Sequence, residues 1–525
     1  MAKDFRQFVL LPVAVGLILM CVSQMSQSVE IAPSEMLNRR LVYMENELIT
    51  FSNLFIHAER FDTDWDDDDV KNMTQLKSFL ETNQALNEHT SEHMLQYTAH
   101  PIGAYILTKR LVKEWTDKWE IMKRHRLCRG AILDKLLNIF QSMPNEKDLE
   151  ETVIYVLRLQ QIYGLKVDDV AKGKIGDNIT EPLSPEDCEI FAQRALDMED
   201  YLLALEWYEY IAKLGRENPK LERLTVVALV RIGSIYYRNR NYAKAVEFTQ
   251  KALKTDSTNN AAKRALEFYQ SAKRSDEAIP IKPRVPKAKI NALYESVCSG
   301  KLTKKNSVTS HPDYNCFLAP RYRRGYVFYK VEYAHRNPDI LYFHKVINQK
   351  FMRKLLVVLD RKLTESVFSD HGYTKQRHWA IISDESRRGE KLNKLFTTLT
   401  GIDYKLSQSP YVAFNFASGV TEAPFVDLET VQTHGKNSTT FIVFLNDVLA
   451  GGNIVFPWLK LSVKPERGSA LFFYNNKPSG IVNKKLLWGE CPVIIGPKWV
   501  AHKIYREWEN DPPKHGNLMF DLWDL

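Results

Sequence analysis

The feature that most constrains this fold is a change of hydrophobic period partway along the chain. Before residue 272, apolar residues recur every three or four positions, which predicts helices. Beyond about residue 316, apolar runs such as 340–343 and 470–474 predict strands. Between these regions, Pro280, Pro283 and Pro286 alternate with basic residues, which predicts a stiff, extended linker. A fold built from one type of secondary structure is therefore excluded.

The length of the chain supports the same division. It has 525 residues, whereas one hydrophobic core rarely serves more than about 300. We therefore predict an α+β multidomain protein. Its predicted parts are a signal peptide (1–28), a helical N-terminal region (29–180), a second helical domain (181–272), a Pro/Lys linker (273–315) and a sheet domain (316–525, core about 408–508). For the last part, strands with helices at 350–369 and 386–399 predict a helix-supported β-sandwich or jelly roll.

The second helical domain carries a tetratricopeptide-like pattern. Ser184 is a predicted N-cap, with Pro185 as the first helical residue. Gly233 and Ala245 are small enough to let two helices approach closely, and aromatic residues such as Tyr236 would fill the remaining space. Units of this kind usually bind extended peptides, but a packing role for the aromatic residues is the alternative.

An apolar seam runs through the first predicted helix. Its members alternate spacings of four and three residues, as in a heptad pattern: Leu37, Leu41, Met44, Leu48, Phe51 and Phe55. The seam predicts either an amphipathic helix on a local core or a coiled-coil contact between two chains. The sequence does not decide between these alternatives.

The N-terminus predicts entry into the secretory pathway. Lys3 and Arg6 precede the apolar run 8–22, and Ser26 and Ser28 fit a cleavage site. The run is shorter than the roughly 20 residues of a membrane span, and we find no second candidate span. Three sequons are candidate glycosylation sites, at Asn72, Asn178 and Asn437.

Charge and cysteine content argue against a nucleic-acid-binding protein and against a disulfide-rich fold. The net charge is +8, without a dense basic patch interleaved with aromatic residues, so no nucleic-acid partner is expected. Five cysteines remain after the signal peptide, too few for a disulfide framework. Cys298 and Cys316 are the best candidates for a disulfide, because they flank a polar loop that contains Pro312.

Motifs along the chain resemble the α subunit of collagen prolyl 4-hydroxylase. The matching C-terminal segments are 447–448, 450–452, 455–457, 465–468, 473–475, 491–493 and 496–500, and the N-terminal ones are 100–111 with Trp115 and 157–169. The resemblance implies a helical dimerisation region, a tetratricopeptide-like peptide-binding domain and a double-stranded β-helix oxygenase domain.

Activity and partners are also implied by the resemblance. The family hydroxylates peptidyl proline in the endoplasmic reticulum lumen with Fe(II), 2-oxoglutarate, oxygen and ascorbate. Its α subunit assembles with protein disulfide isomerase and a second α-type chain, and it binds Pro-rich or collagen-like peptides. Tyr201 and Tyr237 match tyrosines of the family's peptide groove, whereas Arg231 and Ser234 stand where two more are expected.

The implied metal site is incomplete in this sequence. Such oxygenases hold Fe(II) with two histidines and one carboxylate. Asp427 matches the carboxylate, but Phe425 and Trp488 stand at the histidine positions. Lys498 matches the lysine that binds 2-oxoglutarate. Because neither phenyl nor indole offers a lone pair to a metal, Fe(II) binding is in doubt and no catalytic residue is assigned.

Two functions therefore compete. The first is a prolyl 4-hydroxylase with a changed metal site, in which His434 or His502 would approach the metal. The second is a non-catalytic paralogue that keeps the fold, the assembly and peptide binding. The aromatic residues at positions 425 and 488 favour the second, and we expect His434 and His502 to be ordinary surface residues.

Overall fold

A computed structural model describes most of the chain. The described residues are 35–59, 67–124, 131–271, 280–281, 289–302, 316–320, 328–361, 364–370, 373–402, 404, 410–416, 422–425, 436–477 and 481–507. They fall into two compact units, the first with Arg39–His93 and Leu107–Leu149, the second with Met94–Ile106 and Glu150–Leu525. The predicted signal peptide lies outside the described residues, and the boundaries predicted at 180, 272 and 315 stay predictions.

Helices dominate the chain up to residue 271. In chain order they are α1 (Glu35–Glu59), α2 (Asp67–Glu92), α3 (Met94–Thr98), α4 (Pro101–Lys109), a π-helical segment (Arg110–Trp115), α5 (Thr116–Arg124), α6 (Ala131–Gln141), α7 (Glu146–Tyr163), α8 (Val167–Ala171), α9 (Pro185–Asp197), α10 (Tyr201–Glu217), α11 (Glu222–Arg238), α12 (Tyr242–Thr255) and α13 (Asn260–Ser271). None of these described helices combines the length and apolar composition of a membrane span.

Strands dominate the chain after residue 316. Three helices accompany them: α14 (Lys289–Cys298), α15 (Gln349–Arg361) and α16 (Arg387–Thr400). Two short strands lie earlier, among the helices: β1 (Lys174–Ile175) and β2 (Asn178–Ile179). The strands after residue 316 are β3 (Cys316–Pro320), β4 (Phe328–His335), β5 (Ile340–His344), β6 (Thr364–Asp370), β7 (Tyr373–Ile382), β8 (Tyr411–Phe416), β9 (Glu422–Phe425), β10 (Lys436–Phe444), β11 (Ala450–Gly451), β12 (Ile454–Phe456), β13 (Leu461–Val463), β14 (Ala470–Tyr474), β15 (Trp488–Glu490), β16 (Val493–Ile495) and β17 (Lys498–Glu507).

The heptad seam of α1 lies inside the core of its own unit. Leu41, Leu48 and Phe55 are each at most 1% exposed. Glu45 is buried on the same helix, and its carboxylate accepts hydrogen bonds from Arg110 Nε at 2.6 Å and from Trp115 Nε1 at 3.1 Å. This burial favours the local core over the coiled-coil contact.

Each of the helices α9 to α13 packs against the next one in the chain. Ser184 caps α9 as predicted, because its Oγ accepts a hydrogen bond from the Asp187 backbone N–H at 3.1 Å. Gly233 brings α11 close to α12: a Cβ there would lie 2.8 Å from Thr249 Oγ1. The predicted close approach of these two helices is thus present.

The C-terminal part is built on a nine-stranded sheet. Its strand order is β3-β4-β5-β14-β10-β17-β8-β7-β6. Helices α15 and α16 cover one face, where residues such as Leu355 and Phe396 pack against Phe441 and Phe472. Alternation along each strand sends the intervening residues to the opposite face.

A four-stranded sheet covers that opposite face. Its strand order is β13-β12-β15-β9. One buried cluster joins the two sheets, with Ile442, Phe444 and Val500 from the larger sheet and Phe456 and Trp488 from the smaller. The interior between the two sheets is where the candidate site residues of β15 and β17 meet.

Two predicted elements differ from the structure. The helix predicted at 350–369 ends at Arg361, and residues 364–370 form β6 instead, paired antiparallel with β7. Helix α14 occupies 289–298, within the segment predicted as linker. A short apolar stretch fits either type of element, and pairing with a distant strand decides the outcome.

The predicted disulfide between Cys298 and Cys316 is wrong. Cys298 is bonded to Cys491, while Cys316 is free and exposed at the start of β3. The reason is tertiary packing: α14 places Cys298 in a buried cluster with Val455 and Cys491. Proximity along the chain therefore did not determine the pairing.

Candidate functional site

The two positions where histidines were expected lie opposite each other. Trp488 on β15 pairs with Phe425 on β9 in the smaller sheet. Trp488 is buried, and its indole ring lies 6.3 Å from the Phe473 ring in an edge-to-face arrangement. The side chain of Phe425, together with Asp427 and His434, lies outside the described residues. Positions 425 and 488 are thus direct neighbours across two paired strands.

Lys498 already has an anionic partner from the chain itself. Its Nζ lies 2.5 Å from Oε2 of Glu490, two residues after Trp488 on β15. Lys498 is 0% exposed and Glu490 1% exposed. Because Lys498 begins β17 of the larger sheet, this ion pair spans the interior between the two sheets.

His502 completes a three-residue cluster. Its Nε2 lies 3.1 Å from Oε1 of Glu490, so the two carboxylate oxygens face two different basic groups. Lys498 and His502 are four residues apart on β17, and that even spacing places both on one face of the strand. His502 is 8% exposed, so its prediction as an ordinary surface histidine is wrong.

Aromatic rings surround these polar groups. Lys498 Nζ lies 5.1 Å from the centre of the Phe416 ring. The His502 ring lies 4.9 Å from that of Phe414 and 5.3 Å from that of Trp488. Gly452 lets the lysine stem pass, since a Cβ there would lie 3.2 Å from Lys498 Cδ.

The cluster holds Glu490 in its ionised form. Burial alone would raise the pKa of this carboxyl, but the charges of Lys498 and His502 beside it outweigh burial and lower its pKa to about 2. Burial also lowers the pKa of Lys498, and the carboxylate of Glu490 opposes that change. The carboxylate of Glu490 therefore stays ionised although it is buried.

The described residues do not fit an Fe(II) centre of the implied kind. The indole of Trp488 has only an N–H donor, so it cannot replace a histidine ligand. Within the described segments, no group of three histidine, cysteine, aspartate or glutamate residues could hold a metal ion. Glu490 and His502 carry suitable atoms, but these face each other and Lys498 rather than a shared point.

The surroundings of Lys498 do not fit the binding of free 2-oxoglutarate either. A lysine can hold a ligand carboxylate when its ammonium group is available to that ligand. Here the ammonium group of Lys498 is fully buried against the carboxylate of Glu490. The predicted anion-binding position is present, but an internal anion occupies it.

Helix α14 holds the backbone next to the Glu490, Lys498 and His502 cluster. Tyr294 Oη donates a hydrogen bond to the backbone carbonyl of Glu490 at 2.5 Å. The Cys298–Cys491 bond fixes the next residue of the chain to the same helix. Sequence analysis missed both Glu490 and Cys491 as partners, although the spacing of two residues from Trp488 places Glu490 on the same strand face.

The predicted peptide-binding tyrosines lie on the helical part of the second unit. The Tyr237 ring stacks on Tyr269 at 4.8 Å and lies 5.2 Å from Phe268, which is 57% exposed. Tyr201 contacts Arg238, whose Nη1 donates to the tyrosine Oη at 3.4 Å. Within α11, Arg231 is also exposed, seven residues before Arg238 and thus on the same helix face.

The chain resembles known proteins along most of its length. Residues 36–177 match the family described as "Prolyl 4-Hydroxylase alpha-subunit, N-terminal region". Prolyl 4-hydroxylase subunit alpha-2 of Gallus gallus is 24% identical over 90% of this chain and 92% of its own. Prolyl 4-hydroxylase subunit alpha-3 of Homo sapiens is 26% identical over 78% and 82% respectively. These matches confirm the resemblance predicted from the sequence motifs.

A solved structure of a prolyl hydroxylase superposes only loosely on this chain. The viral collagen prolyl hydroxylase vCPH from Paramecium Bursaria Chlorella virus-1, in its 2OG complex, aligns with a TM-score of 0.27 and 16% identity, covering 32% of this chain and 96% of its own. A TM-score this low carries no argument about function.

Proposed function

We propose that this chain, a divergent relative of the prolyl 4-hydroxylase alpha subunits, is a non-catalytic protein that binds Pro-rich peptides. It keeps the helical peptide-binding region and the two-sheet core, which we assign to the tetratricopeptide-like and double-stranded β-helix folds of the family. It does not hydroxylate the peptide itself. The substrate class remains a Pro-rich or collagen-like segment, which the chain holds without oxidising it.

The observation that carries this proposal is the buried indole of Trp488 at a metal-ligand position. Trp488 packs into the apolar cluster between the sheets, opposite the second position, Phe425. Fe(II) bound by the one remaining expected ligand, Asp427, would lack two of three protein ligands. The resemblance leads to Fe(II), 2-oxoglutarate and ascorbate as cofactors, and this chain would not use them for turnover.

Aromatic and basic side chains support the peptide-binding part of the proposal. The exposed face of Phe268 lies beside Tyr237, and aromatic surfaces of this kind suit the rings of proline. Arg231 and Arg238 add positive charge along the same helix. We therefore propose that the preferred peptide carries carboxylates near its prolines.

The cellular setting follows from the family and the N-terminus. The predicted signal peptide at 1–28 supports entry into the secretory pathway. We propose the endoplasmic reticulum lumen as the location, with protein disulfide isomerase and a second α-type chain as partners. Peptide binding inside such an assembly would let this chain hold a client while a catalytic subunit acts on it.

Peptide binding and peptide oxidation can be measured on the same sample. The purified full-length chain is titrated into a fluorescent Pro-rich peptide with acidic residues, and binding is read as anisotropy. The peptide is then incubated with the chain, Fe(II), 2-oxoglutarate, ascorbate and oxygen, and weighed by mass spectrometry. We expect saturable binding without the gain of an oxygen atom.

Two variants test where the peptide binds. Phe268→Ala removes an exposed ring beside Tyr237 and should weaken binding about tenfold, in line with about 1.4 kcal/mol. Tyr43→Ala removes an equally exposed aromatic ring from α1 (58%) and should leave binding unchanged. Equal affinity of both variants would contradict the assigned groove, and an oxidised peptide would contradict the non-catalytic function.

A further inference from the structure

We propose that Glu490 is the built-in anionic ligand of Lys498, and that it closes this site to free carboxylates. In this view the carboxylate of Glu490 lies beside Lys498 whether or not a dicarboxylate is present. The inference goes beyond peptide binding and does not depend on it. Its test measures ligand binding, so either proposal can fail while the other stands.

The geometry first shows that the carboxylate and the ammonium group lie within ion-pair distance. Oε2 lies 2.5 Å from Lys498 Nζ, and Oε1 lies 3.1 Å from His502 Nε2. All three side chains are more than nine-tenths buried. A bound substrate carboxylate would need the same ammonium group that Glu490 already contacts.

Two carboxylates would compete for one ammonium group. A second carboxylate beside Lys498 would place two like charges next to each other in a buried site, and the other basic group there, His502, already contacts Oε1 of Glu490. One of them would have to take up a proton or leave, and the carboxylate of Glu490 is covalently tethered beside Lys498. The tethered carboxylate is therefore favoured over any free one.

The surrounding structure fixes Glu490 in place. Its backbone carbonyl accepts the hydrogen bond from Tyr294, and Ile454 of β12 is its partner across the smaller sheet. The Cys298–Cys491 bond anchors the next residue. Because its backbone is held from three sides, the carboxylate points at Lys498 without needing a ligand to order it.

Chemical rescue tests the pairing directly. Glu490→Ala deletes a CH₂–COO⁻ fragment, which free acetate can replace. Thermal melts of the full-length chain are recorded in sodium acetate, in sodium 2-oxoglutarate and in sodium chloride of equal ionic strength. We expect the wild-type Tm to be the same in all three salts, and the Glu490→Ala Tm to rise by about 3 °C or more in saturating acetate.

The matched control is the double variant Glu490→Ala/Lys498→Ala. It lacks the ammonium group, so acetate should not raise its Tm above the value in chloride. A rise in the wild-type Tm with 2-oxoglutarate would overturn the proposal, because Lys498 would then be open to a free carboxylate. An acetate response that is equal in the single and double variants would also overturn it.

Failure of Glu490→Ala to fold leaves the proposal testable. In that case the soluble yield of the double variant is compared with that of the single variant, and the single variant is refolded in acetate and in chloride. Recovery of folded protein in the double variant, or in acetate alone, supports an uncompensated charge on Lys498. A double variant that folds no better than the single one, with no benefit from acetate, would overturn the pairing.

Discussion

At the scale of single residues, the charge on Glu490 makes the stability of the sheet core depend on pH. Its folded pKa of about 2 lies below the 4.5 of an ordinary glutamate, so the unfolded chain takes up the proton more readily. The stabilisation is fully present above about pH 4.5 and is lost as the pH falls toward 2.

This dependence can be measured with Glu490→Gln. We expect the wild-type advantage in free energy of unfolding over the variant to shrink as the pH is lowered from about 6 to about 3. Urea unfolding at each pH, followed by tryptophan fluorescence, gives the difference. Glu267→Gln, at an exposed glutamate of α13, shows the effect of the same substitution outside the core. A pH-independent difference for Glu490→Gln would contradict the buried ionised carboxylate.

Trp488 contributes packing at a position where a histidine ligand was expected from the sequence. Trp488→His would leave part of the space between Phe473 and His502 unfilled, and we expect a loss of about 2–3 kcal/mol in the free energy of unfolding. Trp458→His changes a tryptophan that is 45% exposed and should cost less than about 1 kcal/mol. Equal losses in thermal or urea melts would show that position 488 is not a packing site.

The resemblance to the prolyl 4-hydroxylase motifs pointed to positions 425, 488 and 498, and the structure pairs 425 with 488. The resemblance did not point to the ion pair between Lys498 and Glu490. Glu490 was missed because its partner Lys498 belongs to a different sheet. Contacts across the interior depend on how the sheets stack, and strand periodicity does not encode that stacking.

At the scale of elements, α14 is tied to the sheet domain by a disulfide. A non-reducing digest should give a peptide pair containing Cys298 and Cys491, while Cys316 reacts with a thiol-specific reagent. Replacing both bonded cysteines by alanine should cost about 2–5 kcal/mol of stability. A Cys298–Cys316 peptide pair in the digest would contradict this arrangement.

The buried apolar seam of α1 predicts how a charge in that helix affects the folding of the N-terminal unit. Leu41→Asp places a charge in a buried position, so we expect the N-terminal unit to unfold rather than to become a folded monomer. Tyr43→Asp, two residues away and exposed, should keep the helical circular dichroism signal. A Leu41→Asp chain that stays helical but halves its mass by light scattering would instead support the coiled-coil contact.

Helix caps and close helix contacts were more predictable than strand pairing. The cap at Ser184 and the close approach at Gly233 follow from local chemistry, and both are present. The segment 364–370 was predicted as helix, yet its backbone pairs with β7. Local residues specify capping and close contacts, whereas strand pairing depends on segments far apart in the chain.

At the scale of the whole molecule, a helical part is followed by a sheet part, as the change of period predicts. The order of the nine strands could not be predicted, because β10 lies between β14 and β17 while β5 pairs with β14. The pairing of β5 with β14, for example, joins Phe343 to Ala470. The two sheets of this core pack around Trp488 and the ion pair between Lys498 and Glu490.

The most direct test is succinate release by the purified full-length chain with Fe(II), 2-oxoglutarate, ascorbate and a Pro-rich peptide. We predict release at the rate of a protein-free blank, unchanged by the peptide, because Trp488 stands where a histidine ligand was expected and Glu490 pairs with Lys498. Succinate release that rises above the blank when peptide is added, together with stoichiometric iron in the purified protein, would contradict the non-catalytic function.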